Sequence, residues 1–138
     1  MKNILILCTG NSCRSQIAHG YFKHFSKNRT KIYSAGIETH GLNFNAIETM
    51  KRDKIDISNH TSNNVSEYLD INFDYIITVC DHANENCPYI PSKNAIRIHK
   101  NFSDPSKVVN SLNKENDFDL CREEIKLFTV NFYKKYFG

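Results

Sequence analysis

Residues 4–15 read Ile4-Leu5-Ile6-Leu7-Cys8-Thr9-Gly10-Asn11-Ser12-Cys13-Arg14-Ser15, an apolar run followed by a turn-prone loop that opens on a cysteine and ends on Arg14-Ser15. The run predicts a buried strand, and the loop predicts a turn into a helix beginning near Ser15, which is placed to cap it. A strand, loop and helix in this order aim backbone N–H groups and the positive helix end at one point, where a tetrahedral anion fits. Cys8 stands at the centre of that point. Positive potential favours its thiolate, and Arg14 adds a planar fork of donors matched to two oxygens of an anion. Thr9, Gly10, Asn11, Ser12, Cys13, Arg14 and Ser15 are therefore the candidate substrate-binding loop, with Cys8 as candidate nucleophile. The loop lacks the Gly-Lys-Ser/Thr ending of a nucleotide-binding P-loop.

Outward from this stretch, apolar and turn patterns alternate. Strands are predicted at 3–7, 31–34, 75–79 and 95–98, and helices at 15–25 and 45–52, with a short helical stretch near 63–69. Gly36 and Gly41 are read as turns, and 80–94 as a loop. A long closing helix carries Phe118, Cys121, Ile125, Phe128 and Phe132 at spacings of three and four, which predicts burial of that face, Cys121 included. The alternation predicts an α/β fold: a single domain over 1–138 with a flavodoxin-like, doubly wound, four-stranded parallel sheet of order 2-1-3-4. In that order strands 1 and 3 are neighbours, so Cys8 and Cys80 share one rim with Asp104-Pro105 after strand 4.

With 138 residues, 40% of them hydrophobic, the chain is long enough for a core without cross-links. A net charge of +3 with no basic block interleaved with aromatics argues against nucleic acid and suits a small anion. No apolar run is long enough to span a membrane, and Met1-Lys2-Asn3-Ile4 does not open a secretory signal, so a cytoplasmic location is expected. Five cysteines in a reducing compartment suggest redox or metal chemistry before a structural framework.

The second cysteine pair lies in Cys80-Asp81-His82-Ala83-Asn84-Glu85-Asn86-Cys87-Pro88. On a regular helix these two Cα atoms stand roughly 10 Å apart, beyond the approximately 7 Å limit for a disulfide. Joining them requires a bent or unwound segment, so a helical reduced form implies a conformational switch. Three readings remain open at this point: a redox pair, a zinc site with His82 and a loop cysteine, and two unrelated thiols. The zinc reading lacks tight Cys-x2-Cys knuckles, and recruiting Cys8 or Cys13 blocks the anion cradle.

The cysteine loop continued to Gln16 and the Cys80 to Pro88 segment, with Tyr33-Ser34-Ala35-Gly36-Ile37-Glu38-Thr39-His40-Gly41, Asp56-Ile57-Ser58-Asn59-His60-Thr61-Ser62 and Phe102-Ser103-Asp104-Pro105, resemble the thioredoxin-coupled arsenate reductases, which share the fold of the low-molecular-weight tyrosine phosphatases. The resemblance runs nearly end to end. It implies that Cys8 attacks arsenate held by Arg14 and the loop amides while Asp104 protonates the departing oxygen. Cys80 then attacks the Cys8 sulfur and releases arsenite, and Cys87 attacks Cys80, moving the disulfide outward for thioredoxin to reduce. It further implies that Ser15 donates to the Cys8 thiolate and that Asn11 braces the loop. Cys13 is read as a small buried wall residue, His82 as a solvated loop residue with an effect on the neighbouring Cys80 thiol as the alternative, and His60 as a support for the cradle. His99 carries no assigned role.

Two departures bear on a potassium ion bound in many members. His19 stands in place of a glutamate and Asn63 in place of an aspartate, so a site at Asn11 and Thr61 is expected to be weakened. The proposed chemistry requires no metal or organic cofactor, and a monomer is the default. The alternative is phosphatase action on a phosphotyrosine or other phosphomonoester, which needs Cys8, Arg14 and Asp104 but neither Cys80 nor Cys87. A third reading, a redox-sensing module without turnover, predicts disulfide switching alone.

Overall fold

The structure is a computed structural model covering residues 1–138. Strands β1 (Lys2–Cys8), β2 (Thr30–Gly36), β3 (Tyr75–Thr78) and β4 (Ile96–His99) form one parallel sheet of order β2-β1-β3-β4. Because β1 is paired on both edges and covered on both faces, Ile4, Leu5, Ile6 and Leu7 are all fully buried. The strand period of two sends them alternately to two cores. Ile4, Ile6 and Cys8 meet Ile17, Tyr21 and Phe22 of α1 (Arg14–His24), Met50 of α2 (Phe44–Arg52), and Phe118 and Ile125 of α4 (Lys114–Phe137). Leu5 and Leu7 pack instead with Ala35, Val65, Phe73, Ile76 and Ile90. A 3-10 turn at Val65–Tyr68 and the irregular segments around it cover that second face, so the long helices share one side.

The closing helix buries Phe118, Cys121, Ile125 and Phe132, while Phe128 is partly buried with its ring 5.7 Å from that of Phe102. Each large apolar side chain so buried contributes about 1.5–3 kcal/mol. Asn113 starts this helix by accepting a hydrogen bond from the Asn116 amide, as Asn43 starts α2 through Ala46.

Three expectations are corrected here. The predicted loop after β3 contains α3 (Asp81–Asn86), with Cys80 at its N-cap and Cys87 at its C-cap. Gly36 is the last residue of β2 rather than a turn, because it pairs with Cys8 and donates its N–H to Asn63 O at 2.8 Å. A Cβ there would overlap Glu38 O and lie 2.7 Å from Thr9 O, so only glycine lets the strand end this close to the cysteine loop. Ser15 does not cap α1, since the helix begins one residue earlier, at Arg14.

Candidate active site

Beyond the carboxyl end of β1, residues 9–13 wrap a cavity of about 490 Å³ whose walls include Cys8, Ser12, Cys13, Arg14, His82 and Asp104. Hydrogen bonds pull the loop's carbonyls outward. Thr9 O accepts from the Glu38 amide at 2.9 Å, Gly10 O from the His40 amide at 2.9 Å, and Ser12 O from the Asn43 amide at 3.0 Å. Asn11 O accepts from Gln16 Nε2 at 3.1 Å. The amides of Gly10, Asn11, Ser12 and Cys13 donate to no oxygen of the protein, which leaves a row of N–H donors for an anion at the start of α1.

Asn11 holds this shape from behind. Its backbone is left-handed at φ 47°, and its buried side chain donates to Ser15 Oγ at 2.8 Å and accepts from the Asn63 amide at 2.8 Å. Asn11 and Ser15 are therefore braces rather than cavity walls. Ser15 accepts from Asn11, and no hydrogen bond joins it to Cys8. His60 does support the cradle at one remove: its Nδ1 lies 3.1 Å from Gln16 Oε1, and Gln16 Nε2 donates to both Asn11 O and Thr61 O.

Those contacts also test the donor set for potassium. The carbonyls of Asn11 and Thr61 are taken by one amide group, Thr61 Oγ1 donates to Asn63 Oδ1 at 2.7 Å, and His19 Nδ1 meets Ser34 Oγ at 2.7 Å. Burial, then His60 and Lys23, pulls the His19 imidazole down to about 3, so it is neutral, with its ring tilted against that of His60 at 4.4 Å between centroids. With a neutral imidazole and an amide where an anionic ligand would stand, and with both carbonyls already sharing one NH2 group, these residues form a poor cation site.

Arg14 is anchored by donating Nη1 to Phe102 O at 2.8 Å, and its Nη2 lies 3.6 Å from Asp104. Burial opposes the Arg14 charge, but Cys8, Cys80 and Asp104 more than offset it and strengthen the guanidinium's hold on its proton. Burial likewise opposes ionisation of Asp104. The Ser106 hydroxyl at 2.6 Å and amide at 2.9 Å, with Arg14 and Lys107, nevertheless hold its carboxyl below the usual carboxylate range.

All five cysteines are free thiols. Cys8 and Cys80 are buried at one rim and act on each other directly, so the pair gives up one proton readily and the second with difficulty. Contact with Cys8 is the largest influence drawing Cys80 down. The Thr9 hydroxyl at 3.3 Å, the Ala83 amide in the first turn of α3, and Arg14 act in the same direction. Contact with Cys80 and burial push Cys8 up, against Arg14 and the Thr9 amide. Cys87 is half-buried, and burial raises its thiol against the pull of Arg97. Cys13 and Cys121 are raised by burial, Cys121 to about 12, so neither is primed as a nucleophile.

The sequence matches the low molecular weight phosphotyrosine protein phosphatase family over residues 3–133. The chain belongs to that family. Among curated relatives, an arsenate reductase of Staphylococcus aureus (strain Newman) is 44% identical over 131 residues, covering 95% of each chain. Among solved structures, an arsenate reductase in its oxidized state superposes with a TM-score of 0.83 at 27% identity, and one in a phosphate-binding state with 0.80 at 28%, each covering 98% of both chains.

Within this phosphatase family fold, the anticipated cradle residues, Cys80 and Asp104 lie at one rim, while Cys87 stands at the far end of α3. Sequence reading missed Glu38, His40, Asn43, Ser106 and Lys107, which complete the cavity wall. Gln16 belongs to the family-like stretch but carries no role in the sequence reading; its Nε2 donates to Asn11 O and Thr61 O. His82 is not simply solvated: its Nδ1 lies 3.1 Å from Thr9 Oγ1. His99 is tied to Thr78 and Asp81, each at 2.7 Å, on the β4 side of α3.

Proposed function

We propose that this protein reduces arsenate to arsenite through Cys8, Cys80 and Cys87 in turn, with thioredoxin restoring the thiols. The observation that carries this reading is a second thiol, Cys80, buried against the nucleophile, with a third at the other end of a short helix. Phosphoester hydrolysis gives Cys80 and Cys87 no task.

Arsenate enters the cradle as an anion and engages Arg14 and the free loop amides. That contact draws Arg14 away from Asp104 and places negative charge beside it, which raises the affinity of Asp104 for a proton. Cys8 thiolate bonds to arsenic as one arsenate oxygen leaves as water, protonated by Asp104. Cys80 thiolate then attacks Cys8 Sγ. A sulfur–sulfur bond forms, the sulfur–arsenic bond breaks, and its electron pair stays on arsenic, which departs as arsenite. Cys87 thiolate next attacks Cys80 Sγ and frees Cys8. Because α3 separates Cys80 from Cys87 by roughly 10 Å along a helical rise, this exchange requires α3 to unwind. Cys87 borders a groove of about 310 Å³ beside Pro88 and Tyr89, a place for a reducing partner to reach the final disulfide.

Replacing Cys80 by serine separates this reading from the phosphatase alternative. Arsenite formation is expected to stop, while hydrolysis of an aryl phosphate continues. Undiminished arsenate reduction by Cys80→Ser would overturn the relay.

A further inference from the structure

Thr9 Oγ1 lies 3.3 Å from Cys80 Sγ and 3.1 Å from His82 Nδ1, so one hydroxyl stands between a buried thiol and an exposed imidazole. Two proton arrangements satisfy these three atoms. In the first, the Cys80 thiol donates to Thr9 Oγ1 and the Thr9 hydroxyl donates to neutral His82 Nδ1. In the second, His82 Nδ1–H donates to Thr9 Oγ1, whose own proton is donated to the Cys80 thiolate. Passing from the first to the second breaks the S–H bond and forms an N–H bond. Thr9 gives up one proton and gains another, and no heavy atom needs to move.

Cys80 is only 2% exposed, which denies its proton a direct route to bulk water. The need for a route arises at a definite moment. The two sulfurs hold one proton between them; when Cys8 attacks arsenic as the thiolate that proton sits on Cys80, and once Cys8 is bonded to arsenic Cys80 must lose it to attack in turn. We propose that His82, acting through the Thr9 hydroxyl, is the positioning residue that accepts the Cys80 proton and keeps the attacking thiolate ready for arsenite release. This rests on the reductase reading above. The imidazolium so formed is exposed and passes its proton from Nε2 to solvent.

The charged groups around His82 are consistent with this role. On its own helix Asp81 is occupied by His99 at 2.7 Å, and Glu85 is exposed. Arg14, Glu38, His40, Asp104 and Lys107 face the same cavity from the opposite walls. The Thr9 hydroxyl is the hydrogen-bond partner of His82 Nδ1.

Two readouts test the assignment. The first is the ultraviolet thiolate titration of Cys80 in a Cys8→Ser background, with Cys80→Ser as the blank, which involves no arsenate. The second is the pH profile of arsenite release in a single turnover of chains that retain Cys8. With His82→Gln, which keeps a polar side chain but cannot titrate, the Cys80 midpoint is expected to rise by about one pH unit. Release is then expected to slow up to about tenfold at pH values below the Cys80 midpoint and to converge with the parent above it. When Thr9→Val removes the bridge, changing His82 is expected to have no further effect on either readout. Identical Cys80 midpoints in the parent and in His82→Ala would overturn the proposal, as would a His82 effect undiminished in Thr9→Val. Absence of arsenite from every variant counts against the reductase reading, while the titration still decides the proton route.

Discussion

Replacing Asn11 by alanine removes the brace of the anion loop, and the structure sets the size of the loss. The side chain is fully buried, donates to Ser15 Oγ at 2.8 Å and accepts from the Asn63 amide at 2.8 Å. Truncation leaves a buried hydroxyl and a partly buried N–H without these partners, each costing about 1–3 kcal/mol. Alanine must also hold φ near 47°, a left-handed conformation that asparagine tolerates better, at about 1–2 kcal/mol. Taken near the low end of these ranges, a combined loss of about 4 kcal/mol is a large part of the roughly 5–15 kcal/mol available to a domain. It lowers the melting temperature by roughly 12–16 °C for a chain of this length. Thermal unfolding followed by circular dichroism measures it, and phosphate binding by calorimetry reports the cradle. Asn11→Gly loses the same two bonds without the left-handed penalty and is expected to melt above Asn11→Ala. A melting temperature within about 2 °C of the parent, with unchanged phosphate affinity, would refute the reasoning.

Hydrogen exchange offers a second check, since the Asn84 amide donates to Cys80 O at 3.2 Å in the first turn of α3. After one turnover with arsenate and no reductant, exchange at Asn84 is expected to accelerate while α1 stays protected; retained protection would contradict unwinding. In the core, Phe22 is fully buried with its ring 5.0 Å from that of Phe132, so Phe22→Ala is expected to cost about 3–5 kcal/mol in urea unfolding. Acid stability should depend on His19. Its folded value is about 3 against an ordinary 6.5, so between these values the unfolded chain binds the extra proton and stability falls as pH drops below about 6.5. The effect is on the order of a few kcal/mol in full. His19→Gln is expected to flatten this slope, read as the urea midpoint at neutral and mildly acidic pH.

The parts of this fold that were legible in the sequence are those where burial repeats a period. Ile4 to Leu7 read as a strand because a central parallel strand is apolar on both faces, and the closing helix read correctly from its stripe of aromatics. The cradle was legible because its chemistry lies in contiguous residues. Helix α3 was not, since five polar residues around Ala83 carry no apolar period, and it is held instead by tertiary contacts, the burial of Ala83 in the core and the Asp81 amide's bond to Asn101 Oδ1. Ser15 was misassigned because a shift of one residue in the helix start turns a cap into a first-turn side chain that takes a bond from Asn11. His82 was underread for a different reason: its partner Thr9 is 73 positions away, and only the pairing of β1 with β3 brings the two together.

The most direct test of the relay is to mix fully reduced protein with arsenate, without thioredoxin, and map the disulfide formed in a single turnover by peptide mass spectrometry. The account predicts one arsenite per chain in each case, with Cys80 joined to Cys87 in the parent protein and Cys8 joined to Cys80 in Cys87→Ser. Arsenite formed with Cys8 still a free thiol in Cys87→Ser, or no disulfide and no arsenite in the parent, would contradict it.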